Sequence, residues 1–172
     1  VYNSIYKDYD VELYDFDGDF DKLYNNIKKI DLVFIALHGG DGENGNVQKF
    51  LELENIKFTG SSSKASEIAI DKNLTKLLCK KSNIPTPNWI LDFMLTDGEI
   101  EVSDEFIASG FVVKPVNEGS SVGVTIFKQV PLENDFREAV KKSFKVSRTT
   151  MLEEYIAGRE LTVSVLDSNA LP

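Results

Sequence analysis

The sequence predicts a chain of mixed α/β and α+β class, and three observations carry that expectation. An apolar run over residues 32–37 is followed by a glycine-rich stretch and then by a helical pattern. Two helical stripes follow one another around Asp71. Farther on, two apolar segments bracket a Gly119-Ser120-Ser121 loop, with a helix and two more strand patterns behind them.

Residues 11–16 alternate in polarity and read as a short strand closed by Asp17-Gly18. Phe20, Leu23, Ile27 and Ile30 recur at helical spacing, so a helix is expected over 20–30. The run 32–37 does not alternate, as expected for a strand buried on both faces of a parallel sheet. His38-Gly39-Gly40-Asp41-Gly42-Glu43-Asn44-Gly45 follows as a loop, and residues 47–55 as a helix. A strand, a glycine turn and a helix in that order put the loop at the carboxyl end of a strand, where open α/β sheets bind ligands.

The second section begins near Ser61. Ala65, Ile68 and Ala69 make one helical stripe; Leu74, Leu77 and Leu78 make another after Asp71, a good N-cap residue. Pro85 and Pro87 end this helical region, and strands are expected at 89–91, 111–115 and 122–126. A helix is expected over 133–145, with Phe136, Ala139, Val140 and Phe144 inward. Strands at 151–156 and 160–166 close the chain on either side of Ala157-Gly158.

Composition narrows the function classes. The hydrophobic fraction is 42% and the charged fraction 27%, ordinary for a globular protein. No apolar stretch approaches the ~20 residues of a membrane span, and residues 1–9 lack the pattern of a signal peptide. The net charge of −9 argues against nucleic-acid binding, which needs concentrated Lys and Arg. A phosphate ligand would have to be met by a few placed cations and by backbone N–H groups. Cys79 is the single cysteine, at a spacing expected of a buried helical face, and fits a reducing cytoplasm.

The segment from Lys114 to Gly123 is the most informative. A Gly-Ser-Ser loop between apolar strands exposes backbone N–H groups and two hydroxyls, and Gly119 lets a phosphate approach the main chain. Lys114 ends the incoming strand and adds a fixed positive charge. A solvated hairpin with a surface lysine fits the same residues on local grounds. Taken alone, Lys72 reads as an exposed helix-start lysine, Glu160 as an exposed strand glutamate, and His38 as a loop-ordering donor. A cation in a first helical turn opposes the helix dipole, a cost that a phosphate partner would offset.

The neighbouring motifs decide between these readings. Ala36-Leu37-His38-Gly39 with Gly42-Glu43-Asn44-Gly45, Phe58-Thr59-Gly60-Ser61, Asp71-Lys72, Val113-Lys114-Pro115, Glu118-Gly119-Ser120-Ser121-Val122-Gly123 and the segment from Glu153 to Val163 stand in order along the chain. In order and spacing they resemble the D-alanine–D-alanine ligases of the ATP-grasp family, over essentially the whole length. The resemblance implies a truncated Rossmann-like N-terminal (pre-ATP-grasp) substrate domain over residues 1–61, its first strand missing. It implies a central ATP-grasp subdomain over 62–151 and the truncated start of the C-terminal subdomain over 152–172.

It also implies a chemistry. ATP phosphorylates the carboxylate of one D-alanine, and the amine of a second displaces phosphate, giving the dipeptide used for peptidoglycan precursors and cell-wall biogenesis. Both steps build negative charge on oxygen, so cations and N–H donors are the expected tools. By resemblance Lys72 and Lys114 hold ATP phosphates, Glu153 contacts the adenine amino group, and Glu154, Tyr155 and Ile156 line the base. Glu160 accepts from the ribose hydroxyls, His38 lies near the first D-alanine carboxylate, and Ser120 and Ser121 close over substrate and phosphate. Glu43 is expected to order the helix that follows it.

Two positions depart from the family pattern: Asn44 stands where Asp is frequent, and Ile126 where a basic residue is. The family's opening strand and its glutamate-bearing loop would precede Val1. The transition-state arginine and the Asp and Glu-x-Asn ligands of Mg²⁺ would follow Pro172. The 172 residues alone are therefore expected not to ligate D-alanine. The resemblance further implies a cytoplasmic enzyme with a tendency to form homodimers. Ligases making D-alanyl-D-lactate or D-alanyl-D-serine, a non-catalytic nucleotide-binding module on the same scaffold, and a flavodoxin-like single domain are the alternatives.

Overall fold

The computed structural model describes residues 2–91 and 108–171. Two compact units emerge, one from residues 1–82 with 117–120, the other from residues 83–116 with 121–172. Among the described residues no helix is long and apolar enough to cross a membrane.

The first unit carries α1 (Tyr2–Ile5), α2 (Phe20–Ile27), α3 (Asn46–Leu53), α4 (Ser63–Ile70) and α5 (Lys72–Lys81). Asp19 starts α2 by accepting the Lys22 N–H at 3.0 Å, one of the donors a helix start leaves unpaired. Leu23 and Ile27, four residues apart, share the inward face. They pack with Val47 and Leu51 of α3, and Tyr14, Phe16, Phe20, Val33, Ile35 and Leu37 close around them. Ser62 caps α4 through the Ala65 N–H, and the Ser63 N–H donates to the Glu52 carboxylate at 2.9 Å, tying α4 to α3. That junction is tight: Gly45 has φ +92°, and a Cβ on it would stand 2.5 Å from the Ser63 carbonyl oxygen.

Several elements differ from expectation. Residues 11–16 form no strand, although their alternation survives as packing: Tyr14 and Phe16 reach the core while Leu13 stays exposed. The run 32–37 makes a single parallel bridge, Val33 to Phe58, instead of a strand buried on both faces. Val33, Ile35 and Leu37 turn inward, whereas Leu32 and Phe34 are about half exposed. A two-faced strand needs cover on both sides, and among the described residues this segment pairs on one edge only. On α5 the buried residue is Lys76, while Leu74, Leu77 and Leu78 lie outward and Cys79 is half-buried. The leucine stripe of that helix is thus a surface, and its long lysine stem fills the inside.

The second unit is a four-stranded antiparallel sheet in the order β1-β4-β2-β3, from β1 (Trp89–Leu91), β2 (Phe111–Pro115), β3 (Thr125–Phe127) and β4 (Thr150–Glu154). Helix α6 (Glu133–Phe144) packs on one face, setting Phe136, Ala139 and Val140 against Phe111, Val113 and Leu152. Burial of each large side chain here contributes about 1.5–3 kcal/mol. The Phe111 ring lies 5.3 Å from Phe127 and 5.8 Å from Phe136, within the range of favourable ring contacts. The buried Ser143 and Thr150 hydroxyls satisfy each other at 2.7 Å. Acidic Glu133 and Asp135 in the first turn of α6, and Lys141 and Lys142 in the last, complement its dipole.

Strand β3 starts at Thr125, later than the expected 122, because residues 121–124 are spent in a turn closed by the Val124 N–H on the Ser121 carbonyl. The strand expected over 160–166 reduces to β5 (Val165–Leu166), paired with β6 (Asn169–Ala170) in a small hairpin; residues 155–164 are irregular. Among the described residues no strand pairs with residues 160–163, and alternation alone does not make a ladder.

Candidate nucleotide-binding residues

Of the residues expected to meet a nucleotide or substrate, His38, Lys72 and Ser120 lie in the first unit, while Ser121 falls in the second. His38 is exposed at the end of the 32–37 run, ahead of a 3₁₀ turn at Gly40–Gly42. Gly42 is required there, since a Cβ on it would lie 2.4 Å from the Leu37 Cβ. The turn is ordered by amides: Asp41 accepts from the Asn44 and Asn46 side chains at 3.2 and 2.7 Å, and Gln48 donates to the Gly42 carbonyl at 2.8 Å. Asn44 serves as a donor to Asp41, a role that an ionised Asp cannot fill. Helix α3 starts at Gly45 without a side-chain cap, so Glu43 does not order it as expected. The Glu43 carboxylate instead lies against Gly119, 2.9 Å from where a Cβ would be.

Lys72 opens α5, and its Nζ donates to the Glu118 carbonyl oxygen. One residue earlier, Asp71 caps the helix through the Leu74 N–H at 2.9 Å and accepts from the Asn117 side chain at 3.3 Å. The lysine and the start of the serine loop are therefore brought together within one unit. Ser120 and Ser121 continue that loop at φ +50° and +59°, both exposed. A non-glycine residue in the left-handed region costs about 1–2 kcal/mol, and Ser120 and Ser121 carry that cost in succession.

The second unit brings Lys114 and Glu153 together as an ion pair. The register explains the meeting: Val112 stands opposite Glu153, so Lys114, two residues on, is its diagonal neighbour on the same face. This face is the one turned away from α6, and Trp89, opposite Glu153, shares it. The side chains keep only 18% and 14% exposure, so each charge depends on the other. A lysine held in this way presents a fixed cation beside an apolar floor made by Trp89, Val112 and Ile126.

Glu154 and Tyr155 are occupied differently. The Glu154 carboxylate accepts the Asn88 N–H at 3.2 Å and its side-chain amide at 3.1 Å, fastening β4 to the residue before β1. The Tyr155 N–H donates to the Gly110 carbonyl at 3.0 Å, and Lys128 stands 5.7 Å over its ring. Ile156 and Glu160 are exposed in the irregular stretch beyond β4. Asn88, Asn117 and Lys128 carried no motif that would have singled them out; their contacts depend on how strands and loop fold back. Among the described residues no three His, Cys, Asp or Glu side chains cluster as a metal site would need.

The chain is similar to known proteins along its length. Residues 13–61 match the family described as D-ala D-ala ligase N-terminus, and residues 78–172, more than half of the chain, match D-ala D-ala ligase C-terminus. A D-alanine–D-alanine ligase of Aquifex aeolicus is 41% identical over 144 residues, covering 84% of this chain and 47% of that protein. The solved D-alanine–D-alanine ligase of Bacillus anthracis is similar with a TM-score of 0.78 at 34% identity, covering 90% of this chain and 50% of the other. The same enzyme solved in complex with ATP gives 0.76 at 32% identity, with the same coverage. The chain spans about half the length of the curated relatives it matches. With both family regions matched in sequence order, the chain belongs to the D-alanine–D-alanine ligase family.

Proposed function

We propose that the whole protein is an ATP-dependent carboxylate–amine ligase that joins two D-alanine molecules for peptidoglycan precursors. The observation that carries this reading is the Lys114–Glu153 pair on the face of the β1-β4-β2-β3 sheet turned away from α6, in a chain whose relative was solved with ATP. Lys114 is a cation kept in place by its partner, ready to meet phosphate oxygens, and Glu153 offers a carboxylate to an adenine amino group. Lys72 is the second phosphate ligand. Glu154, Tyr155 and Ile156 line the base, the first of them by fixing β4 through Asn88. Glu160 receives the ribose hydroxyls.

In the first step a carboxylate oxygen of D-alanine attacks the γ-phosphorus of ATP, and ADP leaves. In the second the amine of another D-alanine attacks the acyl carbon; inorganic phosphate departs and the amine loses a proton. His38 lies beside the first carboxylate. Ser120 and Ser121 contribute hydroxyls and left-handed backbone N–H groups to oxygens that gain charge. Magnesium would neutralise the phosphates, but the described residues offer no set of carboxylates to hold it. The domain division at 61/62 and 151/152, a homodimer and a cytoplasmic location belong to the same proposal.

Nucleotide binding is the first test. A ligand at a hundred times its Kd stabilises the folded state by about 2.7 kcal/mol, so ATP should raise the melting temperature of the 172-residue chain. Lys114→Ala should remove most of that shift. An unchanged melting temperature at millimolar ATP contradicts the reading. The 172 residues alone should release no phosphate in the presence of D-alanine.

A further inference from the structure

The contacts at the start of α5 extend this reading to Asp71 and Asn117, to which the resemblance assigns no role in binding. Asp71 uses its two carboxylate oxygens separately: Oδ1 accepts the Leu74 N–H at 2.9 Å, and Oδ2 accepts Asn117 Nδ2 at 3.3 Å. Next to it, Lys72 Nζ donates to the Glu118 carbonyl. Two consecutive residues at the helix start thus hold two consecutive loop residues, 46 positions along the chain in each case. Residues 117–120 accordingly group with the first unit, although β2 and β3 on either side of the loop belong to the second. Ser120, held at φ +50°, is part of the same group.

We propose that Asp71 and Asn117 are positioning residues of the nucleotide site: their hydrogen bond registers the serine loop on the first turn of α5, so that Lys72 and the 119–120 backbone reach the same phosphate. The proposal rests on the nucleotide-binding reading above. Lys72 alone is the weaker hold, because its ammonium group shares its three donors between the Glu118 carbonyl and a bound phosphate when phosphate arrives. The Asp71–Asn117 bond does not involve the ammonium group and stays when phosphate arrives. It holds the loop in place during that exchange.

The arrangement permits a reciprocal test in the full-length protein. Asp71→Asn retains a good N-cap and leaves at most a neutral amide–amide contact, with the Asn117 amide turned over, in place of the charge-assisted bond to Asn117. Asn117→Asp sets two carboxylates against each other. The double variant Asp71→Asn/Asn117→Asp restores the bond in the opposite sense at unchanged net charge. In it the side-chain oxygen at position 71 still caps the helix, and the amide introduced there donates to the new carboxylate at position 117.

Each single variant should raise KM for ATP about fivefold with kcat changed less than about twofold, and should speed amide exchange at residues 118–120 without nucleotide; the double should return both toward wild type. Singles that match the wild type in KM, or a double no better than the worse single, overturn the proposal. The nucleotide-free exchange is independent of whether ATP binds. Wild-type protein that binds no ATP refutes the functional reading and with it the positioning role, while exchange still reports whether the hold exists.

Discussion

Removing either member of the Lys114–Glu153 pair should destabilise the second unit, and removing both should cost less than the sum. The pair lies between two known limits. Exposed ion pairs contribute about 0–1 kcal/mol, whereas breaking a buried one costs about 3–5 kcal/mol because a charge is stranded. With 18% and 14% exposure the pair lies nearer the buried case but is still reached by water, which puts each single substitution at about 2 kcal/mol. Lys114→Met and Glu153→Gln keep the side-chain volumes and remove the charges one at a time. Urea unfolding can be followed at Trp89, the single tryptophan, whose position opposite Glu153 makes it a local reporter. With a slope of about 2 kcal/mol per molar urea, each single should move the midpoint down by about 1 M. The double should recover about half of the summed loss, a coupling of about 2 kcal/mol. Singles within about 0.5 kcal/mol of wild type, or strict additivity, would refute the claim that Glu153 is what holds Lys114.

Other expectations follow from the packing. Gly45→Ala should cost about 2–4 kcal/mol, since the new methyl meets the Ser63 carbonyl and φ is positive; Gly18→Ala, at φ +91° with no atom within 4 Å, should cost about 1 kcal/mol, and equal losses in denaturant melts would contradict this. Phe136→Ala should cost about 3 kcal/mol by removing a ring from the Phe111–Phe127 cluster, read from the same Trp89 transition. The Ser63 hydroxyl and N–H hold the Glu52 carboxyl below its ordinary 4.5. Its folded value is depressed, so the contribution is complete above about pH 4.5 and is lost as pH falls through the lower folded value. Glu52→Gln should therefore flatten the acid limb of a stability profile taken by circular dichroism from about pH 7 to about pH 3, and an unchanged limb would count against the α3–α4 tie.

What the sequence made legible was local. Phe20, Leu23 and Ile27 marked α2, Asp71 marked the start of α5, and Phe136, Ala139 and Val140 marked the inner face of α6, because helical spacing and capping are set by nearby residues. Strands were less legible, since a ladder depends on a partner distant in sequence. Residues 11–16 and 160–163 alternate as strands do, yet among the described residues they join no ladder. The α5 leucines show the same limit from the other side: their stripe is correct as a pattern, but Lys76 occupies the interior. At the site, Lys114 was visible from its motif, while the diagonal contact that fixes it needed the β2–β4 register. Asn88, Asn117 and Lys128 act through contacts that no spacing encodes.

An acyl phosphate made from D-alanine and ATP is open to attack by hydroxylamine, which captures it before the second amine does. Full-length protein incubated with ATP, D-alanine and hydroxylamine should yield D-alanyl hydroxamate together with ADP, dependent on both substrates and lost with Lys114→Ala. Dipeptide formed without any trappable hydroxamate, or ATP consumed equally well without D-alanine, would contradict the account.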